Sequence, residues 1–76
     1  KVSVFPNPVV DYLYIKDYQN VNGCTLYKMD GSILLKQSGN VEKINMSSYP
    51  RGSYVLKINF GQGDLETTEY HKVMVQ

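Results

Sequence analysis

Tyr54, Leu56, Ile58 and Phe60 alternate with Val55, Lys57 and Asn59. Period two predicts a strand with one wholly apolar face and one mixed face. The strand is launched from Tyr49-Pro50-Arg51-Gly52-Ser53. There Pro50 fixes its own φ and holds Tyr49 extended, and Gly52 supplies a position free to take positive φ. Four large side chains on one face place this strand at the centre of a core. A chain of 76 residues has room for one such core, because a domain of this size buries only about 60% of its unfolded surface. Residues 1–76 are therefore expected to form a single domain. Every other segment must pair with this strand or pack over it.

The remaining segments supply those partners. Val2-Ser3-Val4-Phe5 predicts a short strand, which Pro6-Asn7-Pro8 stops because neither proline can donate to a ladder. Asn7 stands at the middle of that stiff corner, free to bond nearby backbone, and the corner reads as a surface turn. Asp11 to Lys16 predicts a second strand with Leu13 and Ile15 inward and Tyr12 and Tyr14 outward. Asp17 to Gly23 is expected to be a loop. Cys24 to Met29 and Ser32 to Gln37 flank Asp30-Gly31, which predicts a hairpin closed by a two-residue primed turn with positive φ. Val41 to Met46 predicts a fifth strand with Ile44 and Met46 inward. After a loop at Gly61 to Asp64, Leu65 to Gln76 predicts a last strand, with Val73 and Val75 inward. Seven short strands at regular spacing, without helical periodicity, predict an all-β, Ig-like antiparallel β-sandwich.

The same residues argue against catalysis. One histidine cannot make a paired-histidine metal site, and one cysteine, Cys24, cannot make a disulfide or a multi-thiolate site. Cys24 sits in an apolar run and reads as a small buried hydrophobe. Glu69 and His71 share a strand face with no third ligand or orienting group. Asp64, Glu66 and Glu69 lack the spacing of a calcium loop. No serine has a nucleophile-elbow context and no glycine pattern cradles phosphate. With eight basic and seven acidic residues spread along the sequence, there is no basic stripe for nucleic acid and no apolar run long enough to span a membrane. No enzyme activity and no cofactor are expected. The chain opens on Lys1 without a signal-peptide pattern, and reads as a domain excised from a longer secreted protein.

Four motifs in order carry a family resemblance. They are Val4-Phe5-Pro6-Asn7-Pro8; Leu26-Tyr27-Lys28-Met29-Asp30-Gly31; Ile44 through Ile58, containing Pro50-Arg51-Gly52-Ser53-Tyr54; and His71-Lys72-Val73-Met74-Val75-Gln76. Together they resemble the type A C-terminal sorting domain of the type IX secretion system of Bacteroidota, across essentially the whole chain. Tyr49 and Ser53 depart from that pattern, where Leu and a β-branched residue are usual. The resemblance implies a non-catalytic secretion signal. Its expected partners are the outer-membrane translocon, a shuttle protein, a sortase that commonly removes the domain, and a cargo domain on the N-terminal side. The cargo is expected to pass through the periplasm and reach the cell surface or the medium.

On this reading Pro6, Asn7, Pro8, Asp30, Gly31, Pro50, Gly52 and Tyr54 keep the fold. Lys72, Val73, Met74, Val75 and Gln76 are the expected recognition segment, read by a partner that adds a strand to the terminal edge. The other reading is a fibronectin-like or carbohydrate-binding accessory module, with Tyr12, Tyr14 and Tyr18 as its contact strip.

Overall fold

A computed structural model describes residues 2–76. Seven strands form two antiparallel sheets: β1 (Val4–Phe5), β2 (Tyr12–Ile15), β3 (Val21–Lys28), β4 (Ile33–Ser38), β5 (Lys43–Asn45), β6 (Gly52–Phe60) and β7 (Thr67–Val75). The smaller sheet has the order β1-β2-β5 and the larger β4-β3-β6-β7. Strand β6 lies between β3 and β7, the central place its alternation predicts. Two short 3-10 turns, Tyr18–Asn20 and Gly63–Leu65, are the helical segments among the described residues.

The core lies between the sheets. Leu13, Ile15 and Ile44 of the smaller sheet meet Cys24, Leu26, Tyr54, Leu56, Ile58, Val73 and Val75 of the larger. Val2, Val9, Val21, Val41 and Met46 complete the buried cluster. Leu13 and Ile15 point inward, while Tyr12 and Tyr14 point out, as the period of β2 requires. Cys24 is buried, and burial pushes its thiol up to about 11, so thiolate is scarce at neutral pH. Cys24 is therefore expected to stay unmodified by a thiol reagent in the folded protein and to react fully in denaturant; rapid labelling of the native domain would overturn that placement.

Several boundaries differ from the sequence reading, each for a physical reason. Strand β3 starts at Val21, inside the segment expected to be a loop. Val21 is fully buried opposite Phe60, and Asn22 is the extra residue of a bulge between Val21 and Gly23. The displaced Asn22 side chain donates to the Gly61 carbonyl at 2.8 Å and to Glu66 Oε2 at 3.0 Å. The hairpin between β3 and β4 has a longer turn than expected. Gly31 N–H donates to the Lys28 carbonyl and Lys28 N–H to the Ser32 carbonyl. Among the described residues Asp17 is the only non-glycine with positive φ, so Asp30 is not in the primed conformation. Within this turn positive φ falls on Gly31 alone, at +92°, the pattern of a three-residue loop closed by a left-handed glycine. Asp30 instead accepts from Ser32 N–H at 2.9 Å and from Ser32 Oγ at 2.7 Å, and these bonds hold its carboxyl below the usual range. Strand β7 starts at Thr67, because Leu65 belongs to the 3-10 turn and is 80% exposed.

Candidate functional site

The family-like motifs, distant in sequence, gather at one end of the sandwich. Gly52 pairs with Val75 and Tyr54 with Val73, which sets the corner before β6 beside the end of β7. Tyr54 Oη donates to the Pro50 carbonyl at 2.5 Å, and the Tyr49 and Tyr54 rings lie 6.0 Å apart. This is a tyrosine corner: a buried ring whose hydroxyl reaches back to backbone just upstream. Asp30 of the hairpin turn lines one shallow depression with Arg51, Gly52 and Tyr54. Pro50, Tyr49 and Tyr54 line a second with Lys28 and Leu34.

The Pro6-Asn7-Pro8 corner closes the same end, through contacts far from local. Its X-Pro bonds are both cis. Asn7 Nδ2 donates to the Lys72 carbonyl at 2.8 Å, and Met74 N–H donates to Asn7 Oδ1 at 2.9 Å. The side-chain amide thus stands in for a backbone peptide against the outer edge of β7. Prolines on both sides cannot donate there, so the carboxamide supplies what the flanking backbone lacks. Val9 continues the pairing with its own backbone: its N–H donates to the Met74 carbonyl at 2.8 Å, and its carbonyl accepts from Gln76 N–H at 2.9 Å. Val9 and Val75 form an isolated parallel bridge, and both are buried.

The predicted recognition segment is therefore divided. Val73 and Val75 point into the core, with Val73 fully buried. Lys72, Met74 and Gln76 are exposed. Ser53 Oγ donates to Met74 Sδ at 3.0 Å, on the face of the sheet away from the core. The Lys72 carbonyl, both backbone groups of Met74 and the Gln76 N–H are all taken by Asn7 and Val9. A strand added at these positions would meet an edge already occupied. Replacing Asn7 with Ala removes two of these bonds and is expected to lower stability by about 1–2 kcal/mol. It should also speed amide exchange at Met74; exchange at the wild-type rate would count against the clamp.

The outer face of the smaller sheet carries the aromatic strip. Phe5 and Tyr14 stack at 5.8 Å, Tyr14 and Tyr12 lie tilted at 6.4 Å, and Lys43 Nζ sits 4.7 Å over the Tyr12 ring. These ring faces are used by one another and by a cation, as cross-strand pairs commonly are. Tyr18 packs against the core. Glu69 and His71 do touch, Oε1 to Nε2 at 3.1 Å, and both are largely shielded. Val2 N–H also donates to Glu69 Oε1, at 3.4 Å. Among the described residues no group of three or more His, Cys, Asp or Glu is placed to hold a metal.

The family model for the secretion system C-terminal sorting domain matches residues 3–76. The chain belongs to that family. No curated protein and no solved structure matches it. Membership in the sorting-domain family makes the chain a sorting signal for type IX secretion, which implies contact with the secretion machinery and export to the cell surface or beyond. Such sorting domains are in general non-catalytic. No helix among the described residues is long and apolar enough to cross a membrane. Sequence reasoning placed Asn7 in a local turn and missed its bonds to Lys72 and Met74. The one available signal was a carboxamide held between two residues that cannot donate.

Proposed function

We propose that this sorting domain is recognised as a folded unit by the type IX outer-membrane translocon and its shuttle protein. It acts on behalf of a cargo domain fused on its N-terminal side that has already reached the periplasm. A sortase then removes the domain, and the cargo is released or joined to anionic lipopolysaccharide. The observation that carries this reading is the family match over residues 3–76. The gathering of four separate motifs at one end of the sandwich supports recognition of a fold rather than of a loose tail. Within the terminal segment the side chains open to a partner are Lys72, Met74 and Gln76, while Val73 and Val75 hold the strand in place.

The test is a reporter carrying a periplasmic signal and residues 1–76. Export by type IX-competent cells, and periplasmic retention in cells lacking the translocon, is the expected result. Retention in both would overturn the proposal. The glycan-binding alternative draws less support, because Tyr12 and Tyr14 already spend their ring faces on Phe5, Lys43 and each other.

A further inference from the structure

The outer face of the larger sheet has a chemistry that no single strand reveals. Residues directly opposite in an antiparallel ladder share a face. The strand register therefore sets Ile33, Tyr27, Val55 and Lys72 in one cross-strand row. Lys36, Thr25, Lys57 and Tyr70 form the next. Ser53 and Met74 extend the face towards the gathered motifs. Three lysines thus stand on one surface. None of the seven acidic side chains occupies an outward strand position of this sheet; Asp30 stands nearest, at its border, lining a depression with Ser53. Asp30 is in a turn and bonded to Ser32, and Glu69 points to the inner face, against His71. Asp11, Asp17, Glu42, Asp64 and Glu66 lie in the segments between strands. Of the eight basic residues, three therefore share a strand face on which no acidic side chain is placed.

That face also exposes apolar side chains beside the lysines. Tyr70 is 66% exposed, Ile33 58% and Met74 41%. Tyr27, Met29, Val55 and Tyr70 line a shallow depression between the lysine positions. Exposed aliphatic and aromatic groups beside unpaired cations fit a protein partner with an apolar patch bordered by carboxylates. The aliphatic content separates this face from a nucleic-acid platform. Such platforms stack successive bases on exposed aromatic rings, and this face has one exposed ring, Tyr70, and one half-buried ring, Tyr27, set in different rows among Ile33, Val55, Thr25 and Met74.

We propose that the outer face of β4-β3-β6-β7, centred on Lys36, Lys57, Lys72 and Tyr70, is the surface by which the domain docks on an acidic protein of the secretion machinery. This rests on the sorting function proposed above and extends it from Lys72 and Met74 across the sheet. The partner meets side chains of a folded sheet, which leaves the occupied edge of β7 undisturbed.

The test uses the reporter fusion with Lys36, Lys57 and Lys72 all changed to Glu. Export is expected to fall on the order of tenfold, with the protein trapped in the periplasm. The triple Lys→Arg protein should recover export, and Lys16→Glu with Lys43→Glu, which makes its charge change outside this face, should export normally. Melting curves of each fusion report folding. Should the triple Glu protein be unfolded, Lys36→Glu and Lys72→Glu singly carry the test, each with a partial loss. Unimpaired export of the folded Glu variants, or equal losses in the Lys16/Lys43 protein, would overturn the proposal. In a second arm, the purified fusion is applied to immobilised poly-L-glutamate and to single-stranded DNA. Salt-sensitive retention on polyglutamate that is lost in the Glu variants is expected; tighter retention on DNA overturns the assignment of a protein partner. If the wild-type fusion itself is not exported by competent cells, the sorting function fails. If it is exported and the folded Glu variants are exported equally, the docking surface alone fails.

Discussion

Deleting Val73 to Gln76 is expected to unfold the domain, and loss of export in that protein will follow from the unfolding. Val73 and Val75 are both core residues, and full burial of a side chain of this kind stabilises by about 1.5–3 kcal/mol. The deletion also removes Met74 and Gln76 from their bonds with Asn7 and Val9. Gly52, Ser53 and Tyr54 lose the residues paired with them, and buried Val9 loses its cover. A domain of this length has a total stability of only about 4–11 kcal/mol, so the losses approach the whole. Circular dichroism and protease digestion of the truncated fusion check the expectation. A cooperative melt near the wild-type temperature would show that the terminal strand is dispensable to the fold. If the truncated protein is unfolded, its retention in the periplasm says nothing about which side chains are read. Substitutions at exposed Lys72, Met74 and Gln76 separate the two, because they leave Val73 and Val75 in place.

What the sequence showed and what it hid follow one division. Features set within a strand were legible. The alternation from Tyr54 to Phe60 predicted both the strand and its central place, and the inward placement of Leu13, Ile15, Ile44, Met46, Val73 and Val75 followed from the same period. Features set by two segments meeting were not. Asp30-Gly31 marked a hairpin, but the loop length depended on how β3 and β4 came into register, with a shift between Leu26 and Tyr27. Polar Asn22 and Gly23 looked like loop residues, because nothing local says that Val21 finds Phe60 across the sheet. Asn7 looked like a turn residue, because its partners lie 65 and 67 positions away. The lysine face is the extreme case. Lys36, Lys57 and Lys72 are unremarkable members of three strands until pairing sets them on one surface.

Gly61 presents the same division at a single residue, and Gly61→Ala is expected to be the costliest glycine substitution in the domain. Its φ is +101°, a conformation that side chains rarely adopt. A Cβ built there would lie 2.5 Å from the Leu65 carbonyl oxygen and 3.2 Å from its carbon. Both are backbone atoms, so no side chain can swing aside. The loop is held from both sides: Gly61 N–H donates to the Asn20 carbonyl, and its carbonyl accepts from Asn22 Nδ2. The 3-10 turn is itself tied by Leu65 N–H to the Gln62 carbonyl and Glu66 N–H to that of Gly63. Strain at such positions costs about 1–3 kcal/mol, and overlap with fixed atoms adds a comparable amount, for a total of about 3 kcal/mol or more. At about 4–8 °C per kcal/mol for a domain this size, the melting temperature should fall by roughly 12 °C or more. Gly52 supplies the internal comparison. It too has positive φ, +142°, but an added Cβ there meets nothing within 4 Å, so Gly52→Ala carries the backbone cost alone and should lower the melting temperature by a smaller amount. The sequence drew attention to Gly52, beside a proline and ahead of a strong strand, and passed over Gly61 as one of two loop glycines. The order of the two melting temperatures decides between those weights. Gly61→Ala melting at or above Gly52→Ala would mean that the Gly63–Leu65 turn yields to an added methyl, and that the loop between β6 and β7 is not held as tightly as its hydrogen bonds indicate.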